Sequence, residues 1–350
     1  MSAFYILVQA SNYPRITLTA VKTSSISSIY NEGHLNPRGI TIASPSSNQV
    51  TETSASRVRR VAAAYSALTV LSVIWGLAFV AIKQAIFELT PVNLALLRWF
   101  VAGACFLVLV PFMGKPKTKL ERKDLPRLLV IAFANVVGYH LSLYYAETTV
   151  SAGLAGLLIS FAPVFVVILS AVLLHERAGA KVVFSLLLAI LGTFVLSVHQ
   201  VSLSDLSSFI GPAEVALSAL FYALFTVLAK PLVHKYGAPP ITIWAGLLGT
   251  LMLIPLLSTS FLSQVAVLSF NGWVSVLYLS VLSTVLGYLI YYTLVSRGAV
   301  SRLSVQLYLA PIVSVVGGVL LLNEGVTVFT VAGGALLLLA VALVTNVRKK

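Results

Sequence analysis

Charge is scarce in this chain: Asp, Glu, Lys and Arg make up 9% of its 350 residues. Soluble domains carry about 25%, so water cannot be the solvent for most of this surface, and lipid is the alternative. Cysteine is scarcer still. Cys105 stands alone, which excludes an intrachain disulfide framework, and its apolar surroundings mark it as a small core residue. The 10 acids are outnumbered by 23 Lys and Arg, for a net charge of +13. In a soluble protein that excess would suggest nucleic acid; here basic loops gathered on one side of a membrane explain it. There is no P-loop, no HExxH, and no paired His, Cys, Asp or Glu spacing inside the apolar segments. No catalytic residue, metal, cofactor or nucleic-acid partner is therefore expected. No positively charged start leads into an apolar run, so a secretory signal is not read either.

What the chain does have is hydrophobicity, 59% of its residues, with a mean hydropathy of +0.98. Residues 1–60 are the exception: rich in Ser and Thr, with Glu32 and Glu52 as their only acids. They read as a disordered extension, although their composition also fits an organellar transit peptide. From Val61 onward ten apolar segments follow, at 62–85, 91–113, 128–146, 149–174, 179–198, 209–233, 239–258, 271–296, 299–322 and 325–346. A helix rising 1.5 Å per residue needs about 20 residues to cross the hydrocarbon. The expectation is an all-α integral membrane protein whose lipid partner is the bilayer itself. Basic residues sit before the first segment (Arg57, Arg59, Arg60), in the 2–3 loop (Lys115 to Arg127), after the sixth (Lys230, Lys235) and at the end of the chain. With alternating spans all of these share one face, while Lys83 alone lies on the other. Both termini are then expected in the cytoplasm, in the cell membrane, or in an organellar one if residues 1–60 are a transit peptide.

The segments are a duplication. GLAGLLISFAPVFVVILSAVLLHE (153–176) matches SRLSVQLYLAPIVSVVGGVLLLNE (301–324) at a shift of 148, placing Pro163 on Pro311 and Glu176 on Glu324. WGLAFVAIK (75–83) matches YALFTVLAK (222–230), and Gly138-Tyr139 matches Gly287-Tyr288. Each half, 61–198 and 209–346, holds five spans. Five is odd, so the second half enters the membrane from the opposite face. Such inverted repeats can exchange roles between two states of similar energy, the physical basis of alternating access.

Several residues stand out within the spans. Pro163 and Pro311 each remove a helical hydrogen bond; they are candidate hinges beside Ser160, Gln306 and Tyr308, or static bends. Trp75, Tyr139, Tyr144, Tyr222, Tyr288 and Tyr292 suit a pocket for amphipathic organic solutes, or else packing and an interfacial belt. His140 and Glu214 are candidate proton-coupling or substrate groups; the plainer readings are a helix contact for His140 and a helix-end carboxylate for Glu214. Arg98 faces a buried partner, snorkels to the interface, or clamps carbonyls. Glu176 and Glu324 are expected to cap spans 5 and 10. Gly153, Gly156, Gly317 and Gly318 permit close helix contact.

These motifs, with LRWFVAG (97–103) in span 2, resemble the drug/metabolite transporter superfamily, in particular its EamA-type members. The resemblance covers about 62–346. It implies ten helices around a central cavity lined mainly by spans 1, 3, 4, 6, 8 and 9, and export or exchange of small organic solutes. Without an ATP site, transport would run down a gradient, alone or coupled to protons or another solute. A membrane enzyme acting on lipids would need a cluster of acids or histidines, and a scaffold or receptor would need extramembrane surface. Neither feature is present. Substrate identity and oligomeric state are not legible.

Overall fold

In the computed structural model, residues 54–112, 119–174, 180–198, 209–287, 290 and 304–347 are described. Among them there is no strand. Ten helical spans follow in chain order: α1 (Ser54–Ala85), α2 (Pro91–Leu109), α3 (Arg122–Thr149), α4 (Ala152–Leu158, continuing into Ala162–Leu174), α5 (Ala180–Val198), α6 (Ile210–Tyr236), α7 (Ala238–Leu253), α8 (Phe270–Leu286), α9 (Ser304–Leu322) and α10 (Val328–Val347). Among the described residues six helices are long and apolar enough to cross a membrane, and a seventh span is a bent pair. That pair joins a short helix, Ser260–Ala266, to α8 at 110°. The short helix falls between the expected segments 239–258 and 271–296.

The helices begin and end on polar and small residues, as lipid-embedded chain must. Thr90, Ser151 and Ser269 each accept an N–H three residues on, which starts α2, α4 and α8. Gly237, at φ 94°, ends α6 and lets α7 begin at once with Pro239 and Pro240. Large apolar side chains remain on the surface of the bundle, Phe184, Phe194 and Leu320 among them. In water these would be a liability; facing acyl chains they are not.

Packing repeats the duplication. α1 packs on α9 as α6 packs on α4; α3 packs on α6 as α8 packs on α1; α2 meets α8 as α7 meets α3. The remaining large contacts, α5 on α10 and α4 on α9, are each their own image. This exchange of halves is what a two-fold axis between inverted repeats produces.

Single contacts repeat as well. At one end of the bundle Glu88 accepts the Ser269 N–H at 2.7 Å. Adding 148 to 88 and subtracting it from 269 gives Tyr236 and Glu121, and the Tyr236 hydroxyl accepts the Glu121 N–H at 3.1 Å. There the 2–3 loop meets the end of α6, with Lys235 held by Glu121 at 2.5 Å and Asp124 at 2.7 Å. The 2–3 loop and Lys235 thus share one end of the bundle, as five-span halves require. Below, these are the Lys235 end and the Glu324 end.

Candidate functional site

Both middle helices contain a π-helical stretch that nothing in the local sequence announces. In α3 it spans Phe133–Tyr139 and in α8 Tyr278–Leu286, overlapping under the repeat shift. A π-turn adds a residue and displaces carbonyls from the usual i−4 ladder. Here those carbonyls are used across helices. The Tyr139 carbonyl accepts from Ser218 of α6 at 2.9 Å, and the Ser283 carbonyl accepts the Trp75 indole N–H of α1 at 2.9 Å. Within α3, His140 Nδ1 lies 2.8 Å from the Asn135 carbonyl, five residues back. A glycine makes room at each place. A Cβ on Gly138 would meet the Phe221 ring at 2.6 Å, and one on Gly287 would meet Trp75 Nε1 at 2.6 Å.

Arg98 settles between these elements. It is buried, 6% exposed, so it does not snorkel. Its Nη1 donates to the Tyr144 hydroxyl at 2.7 Å, and Nε and Nη2 donate to Thr284 Oγ1 at 3.3 and 3.1 Å. Thr284 in turn donates to the Leu279 carbonyl. One guanidinium thereby ties α2 to α3 and α8. Among the described residues its partners are hydroxyls, and no carboxylate lies within ion-pair distance. Aromatic rings surround it: His140 packs edge-on against Trp99 (5.2 Å), Tyr139 (4.8 Å) and Tyr144 (5.7 Å), and Tyr139 continues to Tyr222 at 6.0 Å. The Trp99 indole N–H and Asn135 Oδ1 are buried nearby with no partner among the described residues. Of the expected residues, Tyr139, His140, Tyr144 and Tyr222 are therefore gathered along α3 and α6, while Trp75 of α1 engages α8. Ser160 is half-buried and donates to its own helix at Gly156. Glu214 is half-buried near the start of α6. Tyr288, Tyr292 and Glu176 lie outside the described residues; Gln306 and Tyr308 lie in α9, and their side chains are outside the described ones.

The two prolines are not equivalent. α4 is interrupted by a 3-10 turn, Ile159–Phe161, that ends two residues before Pro163, whereas α9 runs unbroken through Pro311. The hinge expectation thus finds a helix break in one half only. Around Pro311 the chain is tightly engaged: Gly76 abuts the Ala310 carbonyl, and the Ser314 hydroxyl donates to the Pro311 carbonyl.

Glu324 caps a different helix from the one expected. Its Oε1 accepts the Ala152 N–H at 2.6 Å and its Oε2 the Gly153 N–H at 2.9 Å, so it closes the start of α4, not α10. The reason is local. Asn323 adopts a left-handed φ of 55° and turns the chain off α9, and Gly153 and Gly318 clear the space. A Cβ on Gly318 would fall 2.3 Å from Oε2. α10 is instead started by Thr327 and Thr330, which bond each other's N–H groups. Next to this cap, Lys83 donates to the carbonyls of Glu147 and Val150 at 2.5 and 2.9 Å, satisfying the end of α3. A cavity of about 340 Å³ opens at the same end, lined by Ser151, Gly153, Glu324, Thr327 and Thr330 among others.

Sequence reading missed Glu147. Span 3 had been expected to stop at 146, which left Glu147 in a loop; α3 in fact runs to Thr149 and carries it indoors. The overlooked signal was that this acid, one of only ten in the chain, directly follows an apolar segment.

The family model described as the EamA-like transporter family matches residues 62–198 and again 210–346. The chain belongs to the EamA-like transporter family. An uncharacterized transporter from Archaeoglobus fulgidus is 37% identical over 274 residues, 78% of this chain and 95% of its own. A probable terminal-alkyne amino-acid exporter from Streptantibioticus cattleyicolor is 29% identical over 80% of this chain and 92% of its own. A WAT1-related chloroplastic protein of Arabidopsis thaliana is 28% identical over 77% and 66%. A protein of known crystal structure superimposes with a TM-score of 0.55 at 16% identity, over 82% of this chain and 98% of that one; at that identity the likeness is one of fold. This EamA-family chain is thus a multi-pass membrane protein of the transporter class rather than an enzyme.

Proposed function

We propose that this EamA-family protein is a secondary exporter or exchanger of small organic solutes, amino acids or their relatives among them, working by alternating access without ATP. The observation that carries the reading is the mirrored packing of the halves, because a two-fold exchange of α1/α9 with α6/α4 costs little free energy. The solute site would lie where α2, α3 and α8 converge on Arg98. There a fixed guanidinium, the half-buried rings of Tyr139 and Tyr222, and two unpartnered polar atoms offer anion pairing, apolar contact and hydrogen bonds together. A carboxylate-bearing, uncharged or zwitterionic metabolite fits this chemistry better than a multiply phosphorylated one. The amino-acid exporter among the relatives supports the same class. Proton coupling through Glu214 or His140 is a separate part of the proposal. So is a cell-membrane location with both termini in the cytoplasm; an organellar membrane is the alternative, favoured by the chloroplastic relative.

The test is counterflow in proteoliposomes preloaded with a mixture of the twenty standard amino acids and given radiolabelled members outside. Labelled uptake without ATP is expected, and Arg98→Ala is expected to abolish it. No uptake above protein-free vesicles for the mixture, nor for a broad metabolite panel, refutes the transport reading.

A further inference from the structure

Glu147 has no function in anything described so far. Its side chain is fully buried, at 0% exposure. Neither carboxyl oxygen accepts a hydrogen bond from any described group. A carboxylate stripped of water and left without donors costs several kcal/mol, and such groups persist in membrane helices where they have work to do.

The surrounding charges are few. From α1 comes Lys83, which gives its protons to the backbone carbonyls of Glu147 and Val150 rather than to the carboxyl oxygens. From the turn before α10 comes Glu324, both of whose oxygens are engaged by the N–H groups of Ala152 and Gly153. α2 contributes Arg98 further in, already committed to Tyr144 and Thr284. On α3 itself Tyr144 and His140 lie one and two turns inward. α6 contributes Glu214, a turn beyond Gly211, where the helix touches Thr149. α4 brings no ionisable side chain.

We propose that Glu147 is a proton-binding site of this transporter, loaded from the Glu324 end through the cavity there, whose lining mixes Ser151, Thr327 and Thr330 with apolar side chains. A bound proton makes the carboxyl neutral and removes the cost of burying it. It also leaves Lys83 free to hold the end of α3, as observed. Loss of the proton leaves a carboxylate beside the Lys83 ammonium, which then has a stronger acceptor than a carbonyl. Moving Lys83 onto the carboxylate releases Val150 and loosens the α3–α4 turn against which Glu324 closes. Protonation is thereby linked to closure of this end. Lys83 and Glu324 have repeat counterparts in Lys230 and Glu176, but in the register that sets Gly138 on Gly287 Glu147 falls on Ser296, so the second half carries no acid at this position. The linkage to transport rests on the proposed function; the proton site itself does not.

Two measurements on the purified full-length protein in lipid nanodiscs test this without any transported solute. Difference infrared spectroscopy across a pH step is expected to show a protonated-carboxyl C=O band that is lost in Glu147→Gln and kept in Glu88→Gln and Glu214→Gln. On the wild-type protein, dicyclohexylcarbodiimide adds to protonated carboxyls in apolar surroundings. Peptide mass mapping is expected to place the N-acylurea on Glu147, with labelling that declines as pH rises. A band unchanged in Glu147→Gln, or lost in Glu214→Gln instead, overturns the proposal. So does an unmodified Glu147 at every pH. A protein that passes both tests but moves no solute in vesicles refutes the transport reading and leaves the proton site standing.

Discussion

The Glu324 cap allows a quantitative test of how this end of the bundle is held. Glu324→Ala removes two N–H···O bonds, at 2.6 and 2.9 Å, from the first turn of α4. Charge-assisted bonds contribute roughly 1.5–3 kcal/mol each in soluble proteins, but hydrogen bonds between membrane helices average about 0.6 kcal/mol. A lost N-cap costs about 1 kcal/mol, and the carboxylate's attraction to the helix N-terminus adds roughly 0.3–1 kcal/mol. Together these put the loss near 2 kcal/mol, softened because Ser151 still caps Leu154. Gly318→Ala perturbs the same cap without touching the carboxylate. Its new Cβ falls 2.3 Å from Oε2, so either the carboxylate or the α9 backbone must move. If the carboxylate moves, the double variant is no less stable than Glu324→Ala alone. Reversible unfolding of purified protein in mixed lipid–SDS micelles, followed by far-UV circular dichroism, measures all three. Independent sites add to within about 0.3–0.5 kcal/mol. Additive losses, or a Glu324→Ala variant as stable as wild type, would refute the account of Gly318 and Glu324 as one cap.

Other perturbations follow from the same contacts. Gly76→Ala sets a Cβ 2.6 Å from the Ala310 carbonyl and from the Val313 side chain; overpacking of this kind costs about 1–3 kcal/mol and should register in the same unfolding assay as a separation of α1 from α9. Gly138→Ala and Gly287→Ala should each destabilise by a similar amount, since both force an aromatic side chain off its π-turn. Lys123 and Lys235, hydrogen-bonded to Glu121, hold its carboxyl below the usual glutamate range. Its folded value is the lower one, so its contribution is complete above the unfolded value and disappears as pH falls through the folded value. The wild-type melting temperature should therefore drop in the acid limb more steeply than that of Glu121→Gln, which has no such contribution to lose.

Hydrophobic runs and basic loops were enough to read the ten spans and the mirrored halves, because membrane length and charge asymmetry are local, one-dimensional signals. The site was only partly legible. Trp75, Tyr139, His140, Tyr144 and Tyr222 were recognised as a set, since aromatic and titratable side chains are conspicuous in apolar sequence. Their organiser, the guanidinium of Arg98 on Tyr144 and Thr284, depends on tertiary packing, and Thr284 carries no mark of it. The π-helical stretches were invisible for a related reason: no proline or glycine pair causes them, and their displaced carbonyls find partners on other helices. Glu324 was assigned to α10 because capping arguments run along the chain. A left-handed Asn323 and two glycines redirect it in space. Glu147 was lost to a span boundary placed three residues short.

The two ends of the bundle repeat a contact but differ in the charges around it, and under the proposed alternating access that difference bears on which end opens first. Among the described residues, the ion pairs of the Lys235 end are those of Lys235 with Glu121 and Asp124, whose side chains are 31%, 43% and 18% exposed. Water and salt compete directly with such pairs, so they contribute little. The Glu324 end has the comparably exposed Glu88–Ser269 contact, and in addition the Lys83 and Glu324 caps packed around a buried Glu147. If the halves alternate as proposed, the end whose described ion pairs are solvated separates more often. Amide hydrogen exchange in nanodiscs reads this directly. The segment 119–124, whose Glu121 N–H rests on the Tyr236 hydroxyl, should exchange faster than 150–154, whose amides rest on Glu324 and Ser151. Added salt should accelerate the first and leave the second unchanged. Equal protection of the two segments, or faster exchange at 150–154, would mean that the buried caps do not set the balance between the ends.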